Sequence, residues 1–178
     1  MKATGIVRRI DELGRVVVPK EIRKTLRISE GDPLEIYTDK DELILKKYSP
    51  FKNIESEAED FAVCFSSVND CVCVVTDTDK VISVSNNKLL GEVGAMLTAD
   101  FTKTLKQKKS VLLDGNSLSL IPVTKGFDYG YKSQVIVPVL SHGDLIGGVV
   151  LFRKDEPLGG VDVKLCVLGA ELLAKRFE

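Results

Sequence analysis

Apolar and polar residues alternate over the first ten positions. From Thr4 to Ile10, Ile6, Arg8 and Ile10 share one face of a predicted strand and Val7 and Arg9 the other. Asp-Glu-Leu-Gly at 11–14 reads as a turn, with Gly14 free to take a positive φ. Arg15 to Val18 is a short β-branched strand. Pro19 then suits the first turn of a helix, where its missing N–H costs nothing, and Glu21 complements the helix dipole. Ile22 and Leu26, four apart, are expected to point inward. Lys20, Arg23, Lys24 and Arg27 recur at three and four residues and crowd the outer face. Like charges at that spacing repel, a cost that suits a surface with a polyanionic partner. Ser29 to Pro33 ends the helix. Leu34, Ile36 and Thr38 alternate with Glu35 and Tyr37 on a strand, Asp39-Lys40-Asp41 turns the chain, and Glu42 to Lys47 returns as a second strand.

Ser49 to Ser56, SPFKNIES, reads as a polar linker, and a helical stripe follows through Ile54, Ala58, Phe61, Ala62, Phe65 and Val68. Short strands are expected at Cys71–Thr76 and Val81–Ser85, helices at Asn86–Val93 and Thr98–Lys108, and strands at Ser110–Leu113, Ser117–Pro122, Gln134–Leu140 and Leu145–Phe152. The closing helix, Val161 to Phe177, carries two apolar stripes. One runs through Val161, Leu165, Leu168 and Leu172, the other through Cys166, Gly169, Leu173 and Phe177. One stripe can face a sheet while the other meets a neighbouring chain. The order of elements is that of an α+β sandwich with an antiparallel sheet. The expected organisation is therefore a unit at residues 1–50, a linker at 51–56 and a larger domain at 57–178.

Charge sharpens this picture. The chain holds 25 Lys and Arg against 26 Asp and Glu, a net charge of −1, so the whole molecule is no general polyanion binder. Between Gly5 and Ile28, however, Arg8, Arg9, Arg15, Lys20, Arg23, Lys24 and Arg27 face only Asp11, Glu12 and Glu21. This local positive field fits a double-stranded DNA partner. Size adds a second partner. A unit of about 50 residues with no disulfide or metal cluster buries too little surface to be comfortably stable alone. Two copies sharing one core would supply the missing burial and present the basic surface twice. No apolar run approaches the length of a membrane span, and the first residues lack the apolar core of a signal peptide, so a cytoplasmic location without membrane contact is expected. Cys64, Cys71, Cys73 and Cys166 are then expected to be reduced.

The run TGIVRRIDELGRVVVPKEIRKTLRI, continued by LEIYTDKDELILKKY, resembles the swapped-hairpin DNA-binding domain of the AbrB family of bacterial transition-state regulators. The resemblance covers about residues 1–48. It implies an interleaved β-barrel dimer and DNA-facing cations at Arg8, Arg9, Arg15, Arg23 and Lys24. Lys24 stands where relatives often have arginine, and Arg27, where a relative has glycine, adds a candidate phosphate contact. Farther on, QVIVPVLSHGDLIGGVVLF is similar to the central strand pair of GAF sensory domains, with a proline in the first strand and a Gly-rich start to the second. The combination resembles regulators of late, forespore gene expression in endospore-forming bacteria. That implies activation of some genes and repression of others; the double apolar stripe on the closing helix adds the expectation of a tetramer, reached when the two domains pair through different copies. It also implies a pocket between the sheet and the segment from about Ser117 to Gln134, with Phe127, Tyr129 and Tyr131 able to close on an unidentified small molecule. A domain kept for oligomerisation alone is the alternative.

Catalytic and metal chemistry finds little support. Cys71 and Cys73 share a strand face, but Cys64, Cys166 and His142 do not complete a ligand spacing, so a packed core is expected and no metal. Asp77 and Asp79 read as a hairpin turn. His142 has no placeable nucleophile beside it. Gly91–Gly94 and Gly147-Gly148 lack the spacing of a phosphate loop and read as a helix end and a close strand approach. No catalytic residue and no cofactor is expected. Two rivals remain: a toxin-neutralising antitoxin, a group that shares the swapped-hairpin fold, and a GAF-containing enzyme such as a sulfoxide reductase.

Overall fold

A computed structural model describes residues 5–53, 55–114, 119–126 and 130–177. The chain divides into two compact units, Met1–Tyr48 and Ser49–Glu178.

In the first unit, residues 5–10 and 15–19 run without strand hydrogen bonding. Of the strands expected at Thr4–Ile10 and Arg15–Val18, residues 5–10 and 15–18 therefore form none within one chain, and Thr4 lies outside the described residues. Their apolar side chains lie open: Val7 is 85% and Val17 72% exposed. The turn between them does form. Asp11 N and Gly14 N bond to Arg15 O and Asp11 O at 3.1 and 2.9 Å, and Gly14 takes φ +75°. Helix α1 (Lys20–Thr25) follows, and strands β1 (Leu34–Asp39) and β2 (Glu42–Lys47) pair antiparallel with Ile36 opposite Leu45 and Thr38 opposite Leu43. Ile22 is half-buried, but Leu26 is exposed, contrary to the expected inward placement, because no second layer covers it. Among the described residues of this unit only Pro19 is buried.

The second unit is a five-stranded antiparallel sheet in the order β4-β3-β7-β6-β5. Its strands are β3 (Val72–Thr76), β4 (Val81–Val84), β5 (Val111–Asp114), β6 (Ser133–Ser141) and β7 (Asp144–Arg153). Helices α2 (Glu55–Asn69) and α4 (Gly160–Ala174) cover one face over Ala58, Ala62, Cys73, Val75, Val137, Val149, Leu151, Cys166, Ala170 and Leu173. Helix α3 (Ala99–Lys106) covers the other, over Val74, Val81, Leu97, Phe101, Leu105, Ile136 and Val150. The two faces follow from alternation along β3 and β7, most of whose residues are buried.

Three expectations are corrected here. Residues 119–122 form no strand, and the rest of the expected Ser117–Pro122 strand lies outside the described residues. Ile121 instead gives both its backbone groups to the fully buried Gln134 side chain, each at 2.8 Å, so a side chain substitutes for a neighbouring strand. Asn86–Val93 is a 3-10 turn over Asn87–Glu92, opened by the Asn86 side chain accepting from Lys88 N. The stretch read as a linker is built into the domain. Pro50–Asn53 forms a 3-10 turn whose Phe51 is fully buried and meets Phe177 edge-on at 4.9 Å between ring centroids. Ile54, read as the first position of the helical stripe, lies outside the described residues; Val68, its last position, is exposed.

Candidate nucleic-acid interface

Three short elements set the six candidate side chains. Arg8 and Arg9 lie on the irregular segment before the turn, and both are exposed. Arg15 closes the turn. The Asp11 carboxylate accepts from Leu13 N, Arg15 N and Arg15 Nε at 3.0, 2.8 and 2.8 Å, so one side chain ties the turn backbone to the guanidinium. Those donors favour the ionised carboxylate. The Arg15 amide first and its guanidinium second hold the Asp11 carboxyl below its usual range. Asp11 was read as part of the turn and as a counter-charge; its grip on Arg15, four residues on, was not.

Arg23 and Lys24 occupy the last turn of α1, exposed, where cations also complement the helix dipole. The helix ends in a Schellman arrangement: Ile28 N donates to Arg23 O at 2.8 Å and Arg27 N to Lys24 O at 3.3 Å. Arg27 therefore takes the left-handed position, φ +53°, where glycine is usual. Lys47 Nζ donates to Arg27 O at 3.4 Å and pairs with Asp32 at 3.2 Å, which ties the helix end to β2. Arg8, Arg9, Arg15, Arg23, Lys24 and Arg27 thus all stand exposed within a unit whose apolar side chains are also uncovered.

The second unit offers weaker candidates. Cys71, Cys73 and Cys166 are buried on the α2–α4 side of the sheet, and burial pushes all three thiols up, Cys71 to about 11. Such thiols are poor nucleophiles. Among the described residues no group of three or more His, Cys, Asp or Glu is placed to hold a metal ion. Asp77 binds Asp79 N and Lys80 N, each at 2.7 Å, as a turn should, and Ser49 Oγ donates to it at 2.9 Å. His142 and Gly143 both take positive φ in the β6–β7 turn. An open cleft of about 830 Å³ is lined by Ser66, Cys71, Asn86, Lys88, Tyr131 and Lys154, among others. Tyr131, on the segment expected to border a pocket, lines this cleft, while Ile121 and Val123 of the same segment pack into the core on the α3 side. Phe127 and Tyr129 lie outside the described residues. Among the described residues no helix is long and apolar enough to cross a membrane.

Comparison with known proteins accounts for both units. A family model described as "Stage V sporulation protein T C-terminal, transcription factor" matches residues 53–178. Another, described as "Antidote-toxin recognition MazE, bacterial antitoxin", matches residues 7–53. Stage V sporulation protein T of Bacillus subtilis (strain 168) is 44% identical over 181 residues, covering 100% of this chain and 99% of that protein. The transition state regulatory protein AbrB of the same organism is 66% identical over 50 residues, 28% of this chain and 52% of that protein. Among solved structures, the GAF domain of an Acinetobacter phosphoenolpyruvate-protein phosphotransferase superposes with a TM-score of 0.58. It is 14% identical, covering 68% of this chain and 80% of that chain, a likeness that identifies the fold of the second unit.

Proposed function

The chain belongs to the stage V sporulation protein T family of transcription factors, and on that premise we propose that it regulates late, forespore genes by docking a paired, cationic N-terminal surface on duplex DNA. It is a transcription regulator with an AbrB-like N-terminal domain and a GAF-like C-terminal domain. It acts in the cytoplasm as a regulator rather than an enzyme, activating some genes and repressing others.

One contrast carries the reading. Val7, Ile10, Leu13, Val17, Ile36 and Leu43 lie exposed in a unit of 48 residues, among Arg8, Arg9, Arg15, Arg23, Lys24 and Arg27. Apolar surface left in water at about 25 cal/mol per Å² favours a second copy that covers it. Residues 5–10 and 15–19 bring unpaired strand edges of the kind such a copy can pair with. The two copies then interleave into one barrel and present the cations twice. Arginines at the turn reach base edges, and the helix cations hold phosphate.

The second unit supports a further pairing. Val161, Leu168 and Leu172 on α4 and Val63 and Val68 on α2 are exposed, while the opposite side of α4 packs on the sheet. Two helices from each copy can bundle, and with the N-terminal pairing this builds a tetramer. The antitoxin reading is not favoured: its family model ends at residue 53, and the remainder matches the transcription factor.

The test is duplex binding by Arg8→Ala, Arg9→Ala, Arg23→Ala and Lys24→Ala across a salt series. Each lost phosphate contact is expected to lower the slope of log K against log salt by about 0.9. Wild-type affinity and slope in all four variants would remove the assigned surface.

A further inference from the structure

Helix α1 is six residues long, and Pro19 at its N-cap makes no side-chain capping bond. A helix this short does not hold its shape or direction by itself. Ile22, half-buried, is one anchor, and another lies at the far end of the helix. Lys47, the last residue of β2, sends its ammonium back across 20 residues to the loop that closes α1. There Nζ donates to Arg27 O at 3.4 Å and meets Asp32 Oδ2 at 3.2 Å. The same Asp32 oxygen accepts from Ser29 N at 2.8 Å, and Asp32 N donates to Ser29 O at 3.3 Å. One carboxylate and one ammonium thus close the Arg27–Asp32 loop onto β2. The Lys47 side chain is 18% and that of Asp32 22% exposed, whereas Arg23, Lys24 and Arg27 stand in solvent.

We infer that Lys47 and Asp32 are positioning residues for the DNA surface: they fix the direction of the last turn of α1, and so of Arg23, Lys24 and Arg27, and do not touch the duplex themselves. Charge-assisted hydrogen bonds are stronger than neutral ones, and a partly buried pair is screened less by salt than an exposed one. A binding surface depends on such supporting bonds to keep its contacting side chains in register with the ligand. The rival reading makes Lys47 one more cation facing phosphate. Its geometry opposes that, because the ammonium is turned back onto its own chain and a carboxylate 3.2 Å away offsets its charge. The two readings differ in sign. Removing Asp32 takes a negative charge from the unit, which by field alone raises affinity for a polyanion. Through loss of position it lowers affinity.

This role rests on the reading of α1 as part of the DNA face, and the experiment separates the two. Duplex affinity of the full chain is measured across a salt series for the wild type, Asp32→Ala, Lys47→Met, the double variant, Lys47→Arg, Arg23→Ala and Lys24→Ala. Light scattering and thermal melting confirm assembly and fold, and binding is read well below each melting temperature. Asp32→Ala and Lys47→Met are each expected to lower affinity about tenfold, the equivalent of one charge-assisted hydrogen bond, with the salt slope unchanged. The double variant is expected to bind no worse than the weaker single one, since both act on one loop. Lys47→Arg, which can donate to both acceptors, is expected to stay near wild type. Tighter binding by Asp32→Ala, or wild-type affinity in both single variants, overturns the positioning role. A slope lowered by about 0.9 per copy in Lys47→Met makes Lys47 a phosphate contact and overturns it too. Where Asp32→Ala does not fold, the affinity and slope of Lys47→Met and the rescue by Lys47→Arg decide the question. A wild-type chain that binds no duplex, or Arg23→Ala and Lys24→Ala variants that bind as tightly as the wild type, overturns the reading of α1 instead.

Discussion

Arg15 and Asp11 are joined twice, through the backbone amide at 2.8 Å and through the guanidinium at 2.8 Å, so the most prominent cation of the N-terminal turn is aimed by a carboxylate four residues before it. Both side chains remain in water, and a surface ion pair of this kind contributes little to stability. Its value is positional. The guanidinium keeps other N–H groups available while the turn holds its direction.

That pairing has a pH signature. The Asp11 carboxyl sits below the ordinary aspartate range in the folded chain, so the turn gains from ionised Asp11 above the unfolded value and loses that gain as pH falls through the folded one. The backbone amide resonances of Leu13 and Arg15 are expected to titrate together, with a midpoint below the ordinary aspartate range. A midpoint at or above the ordinary aspartate range would contradict the geometry.

Arg27 supplies a substitution with opposed effects. Its left-handed backbone costs a non-glycine residue about 1 kcal/mol, so Arg27→Gly should stabilise the chain by roughly that amount in urea unfolding. The same change removes a cation from the proposed DNA surface and should lower the salt slope of binding by about 0.9 for each copy of it at the duplex. Gains in both stability and affinity would deny Arg27 any role at the duplex.

Phe51 is fully buried although it lies in a stretch of linker-like composition. Phe51→Ala is expected to destabilise the second unit by about 3–5 kcal/mol, as for other buried aromatic truncations. Urea unfolding of the full chain, followed by far-UV dichroism, measures this. A loss below about 1 kcal/mol would mean that the site collapses around the smaller side chain or that the ring is not buried in solution.

Leu168 and Leu172 test the proposed bundle. Leu168→Glu with Leu172→Glu places two charges on the exposed face of α4 and leaves Cys166, Ala170 and Leu173 in the core. Light scattering is expected to show a smaller assembly at little cost to thermal stability. An unchanged mass would exclude this face from the contact.

Local patterns carried much of the architecture. The Asp11–Gly14 turn, the helix opened by Pro19, the β1–β2 pair and the apolar runs within β6 and β7 were legible because each is marked by its own residues and their neighbours in sequence. Two misses share one physical origin, which is hydrogen bonding or burial supplied from far along the chain. Residues 119–122 look like a strand, yet Gln134 takes the bonds of Ile121. Phe51 sits in a polar stretch, yet Gly147 opens room for its ring. The alternation over residues 5–10 and 15–18 predicts strands, but within one chain it meets no ladder partner. Of the candidate interface, the identity of the cations was readable; the Asp11 grip and the left-handed Arg27 were not, because both depend on backbone conformation.

On the proposed pairing, the exposed apolar side chains between Val7 and Val17 would also set a dosage dependence. A protomer that completes its interior only by meeting another exists as paired species in proportion to the square of its abundance when scarce. Target occupancy would then climb more steeply than synthesis, and a cell making half as much of the chain would lose well over half of its effect.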